Sequence, residues 1–276
     1  MRKQKQTGFT LLELLIVITI IGILASITIV SYPSVVKKAK LANAIKFSDN
    51  VRGSLQPDMV AWWKFDETVG NIAKDTWWSE LHGTVYGATW VEGIKGGALS
   101  FDGVNDYVGG INAGSFTTGG TISFWFKSSG KHYGAFMRAN SWSNGVSMWG
   151  SNSETHTRIS DGTTGGNMSI VHGGGDMRWH YVALIRSGEN IYSYVDGKRS
   201  ITNGYFPASI TITGLGTVSV NNIRIGFGEG HVGVNNYFGG FIDDVQIYSA
   251  ALPLSMIQQH YAEGLKTHQN LAKLSF

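Results

Sequence analysis

The sequence predicts a membrane-anchored α+β chain, in which a long N-terminal helix is followed by an all-β antiparallel sandwich and a short C-terminal helix. No charged residue occurs from Leu14 to Val36, whereas the rest of the chain is rich in glycine and aromatic residues. Short alternating runs bounded by glycine and polar residues are typical of strands joined by tight turns. Beyond the first 54 residues, helical periodicity appears only after Pro253.

Length and composition limit the domain count and the classes of partner. With 276 residues, 42% of them hydrophobic, the part beyond the anchor suits one domain of about 200 residues. Arg2, Lys3 and Lys5 account for the whole net charge of +3, so no nucleic-acid binding is expected. Cysteine is absent, which excludes thiol catalysis and cysteine-bound metals. An exported domain must then be stabilised by its core or by a bound ion.

The N-terminal helix is predicted to cross a membrane and to continue as an amphipathic helix. The uncharged run would span about 34 Å at 1.5 Å per residue, more than a hydrocarbon core of about 30 Å. The basic residues before Gly8 place the N-terminus in the cytoplasm. We predict a leader over 1–8, a helix over 9–54 whose membrane-spanning part is 9–32, and a linker over 55–58.

Glu13 is the residue that a plain membrane anchor or an uncleaved signal does not explain. A lone carboxylate in lipid is costly unless it has a partner, and a cut between Gly8 and Phe9 would supply the α-amine of Phe9. The stretch GFTLLELLIVI (8–18) resembles the class III leader and the start of type IV pilins and type II secretion pseudopilins. The resemblance implies that a prepilin peptidase cuts after Gly8 and methylates Phe9. It also implies that Glu13 neutralises the Phe9 amine of an adjacent subunit in a filament.

Beyond the linker, nine short runs are predicted to be strands. No gap between them has the helical period that a parallel α/β sheet requires, so an antiparallel sandwich is expected. Asp196-Gly197 predicts a tight hairpin. A helix is predicted over Pro253–Glu263, ending at Gly264, with a polar tail over 265–276. The nine runs are Met59–Phe65, Gly83–Val91, Ala98–Phe101, Thr121–Lys127, Tyr133–Arg138, Trp179–Arg186, Ile191–Val195, Val218–Ile225 and Phe241–Tyr248.

Four stretches together resemble the laminin-G-like branch of the concanavalin A-like jelly rolls. The resemblance implies a head over 59–264 built from two antiparallel sheets packed face to face, with the first and last strands adjacent. The stretches are VAWWKFDE (Val60–Glu67), GALSFDGVNDYV (Gly97–Val108), RWHYVALIR with YSYVDGK (within Arg178–Lys198) and GFIDDVQIYSAALPLSMIQQHY (Gly240–Tyr261).

Aspartates in or beside the predicted strand ends form a candidate calcium site. Ca²⁺ binds about six to eight oxygen ligands, among them carboxylates. Members of the family that the chain resembles often hold a structural calcium, which implicates Asp243 or Asp244 together with Asp66 or Asp75. Turn capping and pairing with lysines are the alternatives. Where relatives have a Ser-Gly turn after the Asp75 position, this chain reads DTWWSELHG, which alters the loop.

No catalytic residue is predicted. The Glu-x-Asp-x-x-Glu pattern of laminarinase-type relatives is absent from the sequence, and the consecutive Asp243 and Asp244 should point to opposite faces of a strand. The histidines lack metal-ligand spacing, and His180 is interpreted as structural.

A ligand-binding surface is predicted instead. Sugar sites use accessible aromatic faces with nearby polar groups. The candidates, all in loop-like contexts where packing is the alternative role, are Trp77, Trp78, Trp142 and Trp149. Trp62, Trp63, Trp125 and Trp179 lie in predicted strands and are expected in the core.

Together these features predict a prepilin of the inner membrane. A prepilin peptidase would process it, and an inner-membrane assembly platform would build it into a helical homopolymer with other pilin subunits. The head, displayed outside the cell, is expected to adhere to a surface glycan or protein. The alternatives are a purely structural head, and a pseudopilin or minor pilin of a type II secretion or DNA-uptake machine.

Overall fold

The computed structural model describes residues 11–12, 14–20, 58–128, 134–150, 154–171, 175–199, 207, 209–229 and 235–274. The chain falls into two compact units, Met1–Val51 and Arg52–Phe276.

In the first unit, residues 11–12 and 14–20 are helical. The Thr19 hydroxyl donates to the carbonyl oxygens of Leu15 and Ile16, at 3.0 and 2.8 Å. The candidate residues Gly8, Phe9 and Glu13, like the remaining parts of the predicted helix over 9–54, lie outside the described residues. No helix within the described ranges combines the length and the hydropathy needed to cross a membrane.

The described part of the second unit consists of short strands followed by a helix. The strands are β1 (Met59–Trp63), β2 (Ile72–Ala73), β3 (Gly83–Tyr86), β4 (Thr89–Glu92), β5 (Gly97–Asp102), β6 (Tyr107–Ile111), β7 (Ser115–Phe116), β8 (Gly119–Lys127), β9 (Gly134–Asn140), β10 (Asn144–Gly150), β11 (Glu154–Asp161), β12 (Gly165–Val171), β13 (His180–Ser187), β14 (Asn190–Val195), β15 (Lys198–Arg199), β16 (Ser209–Thr211), β17 (Val218–Ser219), β18 (Ile223–Ile225), β19 (Phe227–Glu229), β20 (Asn235–Tyr237) and β21 (Gly239–Tyr248); the helix is Leu254–Leu274.

The first sheet has the strand order β15-β14-β13-β8-β21-β5-β4, with β1 added beside β21 and β16 beside β14. β1 and β21 are antiparallel, with Trp63 opposite Val245, so the first and last strands are adjacent, as the resemblance implied. The turn between β14 and β15 contains Asp196 and Gly197, both at positive φ (51° and 71°). Two such residues are what a tight hairpin turn of this kind requires, which confirms the predicted hairpin.

The second sheet has the order β12-β11-β10-β9-β18-β6-β3-β2, with β20 linking β19 to β9. Among the described pairs, only β20 with β9 is parallel, at Tyr237 opposite Ala135. β7 and β17 form a separate short pair. The predicted antiparallel sandwich is therefore confirmed.

A single hydrophobic cluster contains residues of both sheets. Phe136 of β9 packs against Phe124 and Phe126 of β8, with ring centroids 5.8 and 4.6 Å apart. Burial of each such side chain contributes about 1.5–3 kcal/mol relative to exposure. Trp63 and Trp125 are fully buried, as expected. The prediction was wrong for Trp62 and Trp179, which are partly exposed.

Two predicted strands are split in the structure. Gly83–Val91 divides into β3, in the second sheet, and β4, in the first. The chain crosses between the sheets at Gly87, whose φ is +79° and where a Cβ atom would lie 1.9 Å from Oδ1 of Asp106. Val218–Ile225 divides into β17 and β18, and Asn222 between them has a φ of 47°.

The C-terminal helix begins at Leu254, one residue after the predicted start at Pro253, and it does not end at Gly264. It continues to Leu274 through the segment expected to be a tail. Gly264 lies against the buried Trp125, and a Cβ atom there would be 2.3 Å from Cζ2 of the indole. The glycine therefore permits close packing of the helix on the sheet, and it does not act as a terminator.

Candidate functional site

Asp75 holds the loop that follows β2 against β1. Its Oδ1 accepts hydrogen bonds from the backbone amides of Trp62 and Trp77, both at 2.9 Å. Its Oδ2 accepts from the Ser79 hydroxyl at 2.6 Å and from the Leu81 amide at 3.2 Å. This carboxylate is only 6% exposed and its donors are all protein groups, so it organises the DTWWSELHG loop.

Asp243 and Asp244 lie on β21, where a β-bulge interrupts the pairing with β8. Asp243 Oδ2 accepts from the amides of Ile94 and Lys95, at 2.9 and 3.1 Å. Asp244 Oδ2 pairs with Nζ of Lys95 at 2.8 Å, and its Oδ1 accepts from the indole N–H of Trp62 at 2.5 Å. Opposite faces were expected for consecutive strand residues. The bulge, with Asp244 at a φ of 53°, instead brings both carboxylates to Lys95.

The four candidate carboxylates do not form a calcium cage in this arrangement. Asp66 accepts from the Gly97 amide at 2.8 Å, and Lys95 supplies the cation beside Asp244. Burial, and then the charge of Asp244, raise the pKa of Asp243 well above its usual value. Asp243 Oδ1 has no hydrogen-bond partner among the described residues. Within the described ranges, no three acidic or histidine side chains are grouped so that they fit a metal ion. Calcium binding stays a prediction.

The melting temperature of the full-length chain in millimolar Ca²⁺, compared with that in a chelator, tests the predicted calcium site. A bound ion would raise the melting temperature, because any ligand of the folded state stabilises that state by mass action. Asp244→Asn is expected to lower the free energy of unfolding by about 1–2 kcal/mol in both conditions, because the partly buried Lys95 loses its charged partner. A rise with Ca²⁺ that disappears in Asp243→Asn would establish the calcium site, and equal melting temperatures in the two conditions would contradict it.

A shallow groove lies beside this carboxylate cluster. It encloses about 310 Å³ and is lined by Trp62, Lys64, Asp66, Lys95, Gly96 and Asp244. The ammonium of Lys64 lies 4.2 Å from the ring centroid of Trp62. The lining contains two lysines and two aspartates, so its formal charges cancel and favour neither sign of ligand charge.

Two of the four candidate tryptophans pack together on the second sheet. Trp142 and Trp149 have ring centroids 5.1 Å apart, and His156 stacks on Trp149 at 5.6 Å. The guanidinium of Arg158 lies 5.3 Å from the Trp142 ring centroid. All four side chains are partly exposed. We call these residues, together with Arg138 and Arg224 on the neighbouring strands, the arginine–tryptophan face.

Trp77 and Trp78 lie elsewhere, in the loop held by Asp75. Trp78 is 87% exposed, and the backbone of Trp77 donates to Asp75. The structure therefore divides the predicted ligand-binding tryptophans between a folded sheet face and an exposed loop.

The antiparallel register of β9 to β12 positions the arginine–tryptophan face. Trp149 is opposite His156, and Ser147 is opposite Arg158, while Thr155, Thr157 and Ile159 of β11 are buried on the other side. Sequence analysis missed β10, β11 and β12, and with them the roles of His156 and Arg158. In β11 the outward positions are polar and two of the buried positions are threonines, so the run was not hydrophobic enough to be selected, although the alternation in THTRI (155–159) was present.

His180, interpreted as structural, lies between two carboxylates at the start of β13. Its Nδ1 is 2.9 Å from Asp196 Oδ2, and its Nε2 is 3.3 Å from Asp176 Oδ1. The hydrogen bond with Asp196 is the largest of the effects that raise the pKa of His180. Asp196 also accepts from the Tyr181 amide at 2.9 Å, so the cluster ties the β14–β15 hairpin to β13.

Comparison with known families covers both parts of the chain. A profile of the concanavalin A-like lectin/glucanases superfamily matches residues 102–258, and the prokaryotic N-terminal methylation motif matches residues 3–29. Fimbrial protein EcpC of Eikenella corrodens is 31% identical over 127 residues, which are 42% of this chain and 83% of that protein. A fimbrial protein of Moraxella nonliquefaciens is 44% identical over 50 residues, 18% of this chain and 32% of that protein.

The chain therefore belongs to the concanavalin A-like lectin/glucanases superfamily and carries the N-terminal methylation motif of fimbrial proteins. These relatives support a pilus subunit that is membrane-associated and then surface-exposed in a filament. They point to a structural fimbrial subunit with a lectin-like domain.

Solved structures with a similar fold include the binding domains of Paraclostridial Mosquitocidal Protein 1 and of botulinum neurotoxin serotype D. Each has a TM-score of 0.58 and 16% identity, over 76% of this chain and 53% of that chain. The serotype D ligand binding domain in complex with N-acetylneuraminic acid has a TM-score of 0.57 and 16% identity, over 76% and 52%. At this identity the likeness shows the fold alone, and this chain spans about half the length of these proteins.

Proposed function

We propose that the chain is a subunit of a type IV pilus-like filament whose laminin-G-like head binds a surface glycan or protein through the arginine–tryptophan face. The observation that carries the proposal is the presence, on one chain, of the methylation motif at residues 3–29 and a lectin-like sandwich with a paired Trp142 and Trp149 on one face. The motif supports assembly, and the face supports adhesion.

The assembly part of the proposal starts in the inner membrane. A prepilin peptidase removes residues 1–8 and methylates Phe9, and the single membrane-spanning helix, with its N-terminus in the cytoplasm, holds the subunit until an assembly platform extracts it. Mass spectrometry of the mature N-terminus tests this sequence of events directly, because it detects both the new end at Phe9 and the added methyl group.

The adhesion part rests on the chemistry of the exposed face. Indole rings offer apolar surface on which the C–H faces of a sugar ring stack, and nearby polar groups fix the orientation of the ligand. Trp142, Trp149 and His156 supply the rings, and Arg158, whose guanidinium lies over the Trp142 ring, supplies hydrogen-bond donors. The solved binding domain in complex with N-acetylneuraminic acid supports a sugar ligand by analogy of fold.

We expect Trp149→Ala to weaken binding of the full-length chain to its best ligand on a glycan array by at least about tenfold. Aromatic side chains at the centre of a binding surface contribute about 2 kcal/mol or more. Trp78→Ala is the matched control: it also removes one accessible indole, and it should leave affinity unchanged.

If Trp149→Ala and Trp78→Ala weakened binding equally, or if neither weakened it, the placement of the ligand on this face would be contradicted. If the intact chain bound no glycan and no surface protein, the head would instead be a structural shell. A minor pilin or pseudopilin would then be the better description, and its position in isolated filaments would identify it.

A further inference from the structure

Three arginines lie in one row across neighbouring strands of the second sheet. Arg224 of β18 is opposite Arg138 of β9, and Arg138 is opposite Ser147 of β10. Ser147 is in turn opposite Arg158 of β11, which is opposite Asn167 of β12. Directly opposed residues point to the same side of a sheet, so the row lies on one face.

The adjacent row shows which face this is. It consists of residues that are at most 1% exposed: Ile225, Met137, Met148, Thr157 and Met168. Because successive side chains alternate between faces, the arginine row faces away from the core. Trp149 and His156 occupy the next outward-facing positions on β10 and β11, so the arginines and the tryptophans share one surface.

The positive charges of the outer two arginines, Arg158 and Arg224, are not neutralised by any carboxylate among the described residues. Arg158 donates from Nε to the Trp142 carbonyl at 3.0 Å and from Nη1 to Asn167 Oδ1 at 3.2 Å. Both acceptors are neutral. The Arg224 guanidinium lies 5.0 Å from the ring centroid of Phe227. Neither side chain forms an ion pair with a described carboxylate.

The backbone and ring contacts hold both guanidinium groups in place without neutralising them. An anionic ligand on this face would pair with the guanidinium groups of Arg158 and Arg224. Arg138 itself is only 7% exposed, so direct contact falls to Arg158 and Arg224.

We propose that the arginine–tryptophan face selects acidic polysaccharides, whose sugar rings stack on Trp142 and Trp149 while their carboxylate or sulfate groups bind Arg158 and Arg224. This inference rests on the proposed adhesive function and adds the charge class of its ligand. Arg158 and Arg224 are three strand spacings apart, about 14 Å. The ligand therefore extends over more than one sugar unit. A guanidinium fork binds both carboxylate and sulfate oxygens well.

Matched polymers that differ only in charge provide the test. Binding of the full-length chain in detergent is measured to polygalacturonate and to its methyl-esterified form, and to dextran sulfate and unmodified dextran. We expect each charged polymer to bind at least about tenfold more tightly than its neutral counterpart, as expected for charge-assisted hydrogen bonds. The preference should weaken with added salt. The two charged polymers distinguish carboxylate from sulfate as the preferred group.

Arg158→Gln and Arg224→Gln are each expected to weaken binding of the charged polymers by about tenfold and to leave neutral polymers unaffected. Arg199→Gln is the matched control, because Arg199 is also exposed and stacked on an aromatic ring, that of Tyr192, but lies on the first sheet. Arg158→Lys, which keeps the charge and loses the fork, should restore part of the affinity. Unchanged melting temperatures show that the variants fold.

The outcomes separate this inference from the function on which it rests. If neutral and charged polymers bind equally and the glutamine variants have no effect, the charge selection is overturned while adhesion stands. If no polysaccharide binds, both fail. If polyglutamate or a single-stranded oligonucleotide binds as tightly as the charged polysaccharides, the assignment to glycans is overturned.

Discussion

The full-length protein with Glu13→Ala is expected to form no filaments by electron microscopy, whereas the unchanged protein forms them. Glu13 is the single acid within an otherwise apolar N-terminal segment. In a filament, its carboxylate would neutralise the Phe9 amine of an adjacent subunit. Without it, each subunit would bury an unpaired ammonium, which costs roughly 3 kcal/mol or more. The cost recurs at every added subunit, so assembly should fail completely.

Two controls make this result specific. Glu92→Ala removes an exposed carboxylate from β4 and should leave filaments intact. Mass spectrometry should find methylated Phe9 at the N-terminus of both variants, which separates a defect in assembly from one in processing. Normal filaments from Glu13→Ala would refute the pairing. Recovery of an always monomeric chain that still carries residues 1–8 would refute the pilin interpretation itself.

Local sequence patterns were sufficient to predict the sandwich, because its core strands are hydrophobic and its turns contain residues specific to those turns. Asp196-Gly197 predicts its hairpin because few residues adopt positive φ in succession. The prediction that the C-terminal helix ends at Gly264 was wrong, also because of a property of glycine. Glycine often ends a helix, but here the missing side chain makes room for Trp125, and only tertiary structure reveals that neighbour.

Some errors were avoidable from the sequence. Trp62 and Trp63 are consecutive in a strand and therefore point to opposite sides of the sheet. Only one of the two should have been expected in the core. Trp63 is fully buried, and Trp62 is partly exposed at the groove. The face of Asp244 was not predictable in this way, because the β-bulge in β21 changes the alternation at that residue.

The arginine row could not be found from the sequence at all. Arg138, Arg158 and Arg224 are far apart along the chain, and they become neighbours only through the register of β18, β9, β10 and β11. Register depends on which strands pair and where each turn falls. The candidate tryptophans were identifiable from their residue type, but the charges beside them required the sheet topology.

Arg186→Met is expected to lower the free energy of unfolding of the sandwich by about 3–5 kcal/mol. Arg186 of β13 is 2% exposed and donates to three backbone carbonyls: Gly188 at 3.0 Å, Phe116 at 2.8 Å and Leu215 at 2.9 Å. It therefore ties β7 and the segment before β17 to the first sheet. Methionine fills similar space but leaves these acceptors without a donor, at about 1–3 kcal/mol for each buried one.

Urea unfolding of the full-length chain in detergent, followed by tryptophan fluorescence, measures this change, because all nine tryptophans lie beyond residue 52. Arg186→Lys should lower the free energy of unfolding by less than Arg186→Met, because it keeps the positive charge. Some loss should remain, because a single ammonium cannot reach all three carbonyls as the guanidinium fork does. Arg178→Met, at a side chain that is 82% exposed, should change stability little. Both Arg178→Met and Arg186→Met remove one positive charge. If they lowered the free energy of unfolding equally, the buried hydrogen bonds of Arg186 would contribute nothing to stability.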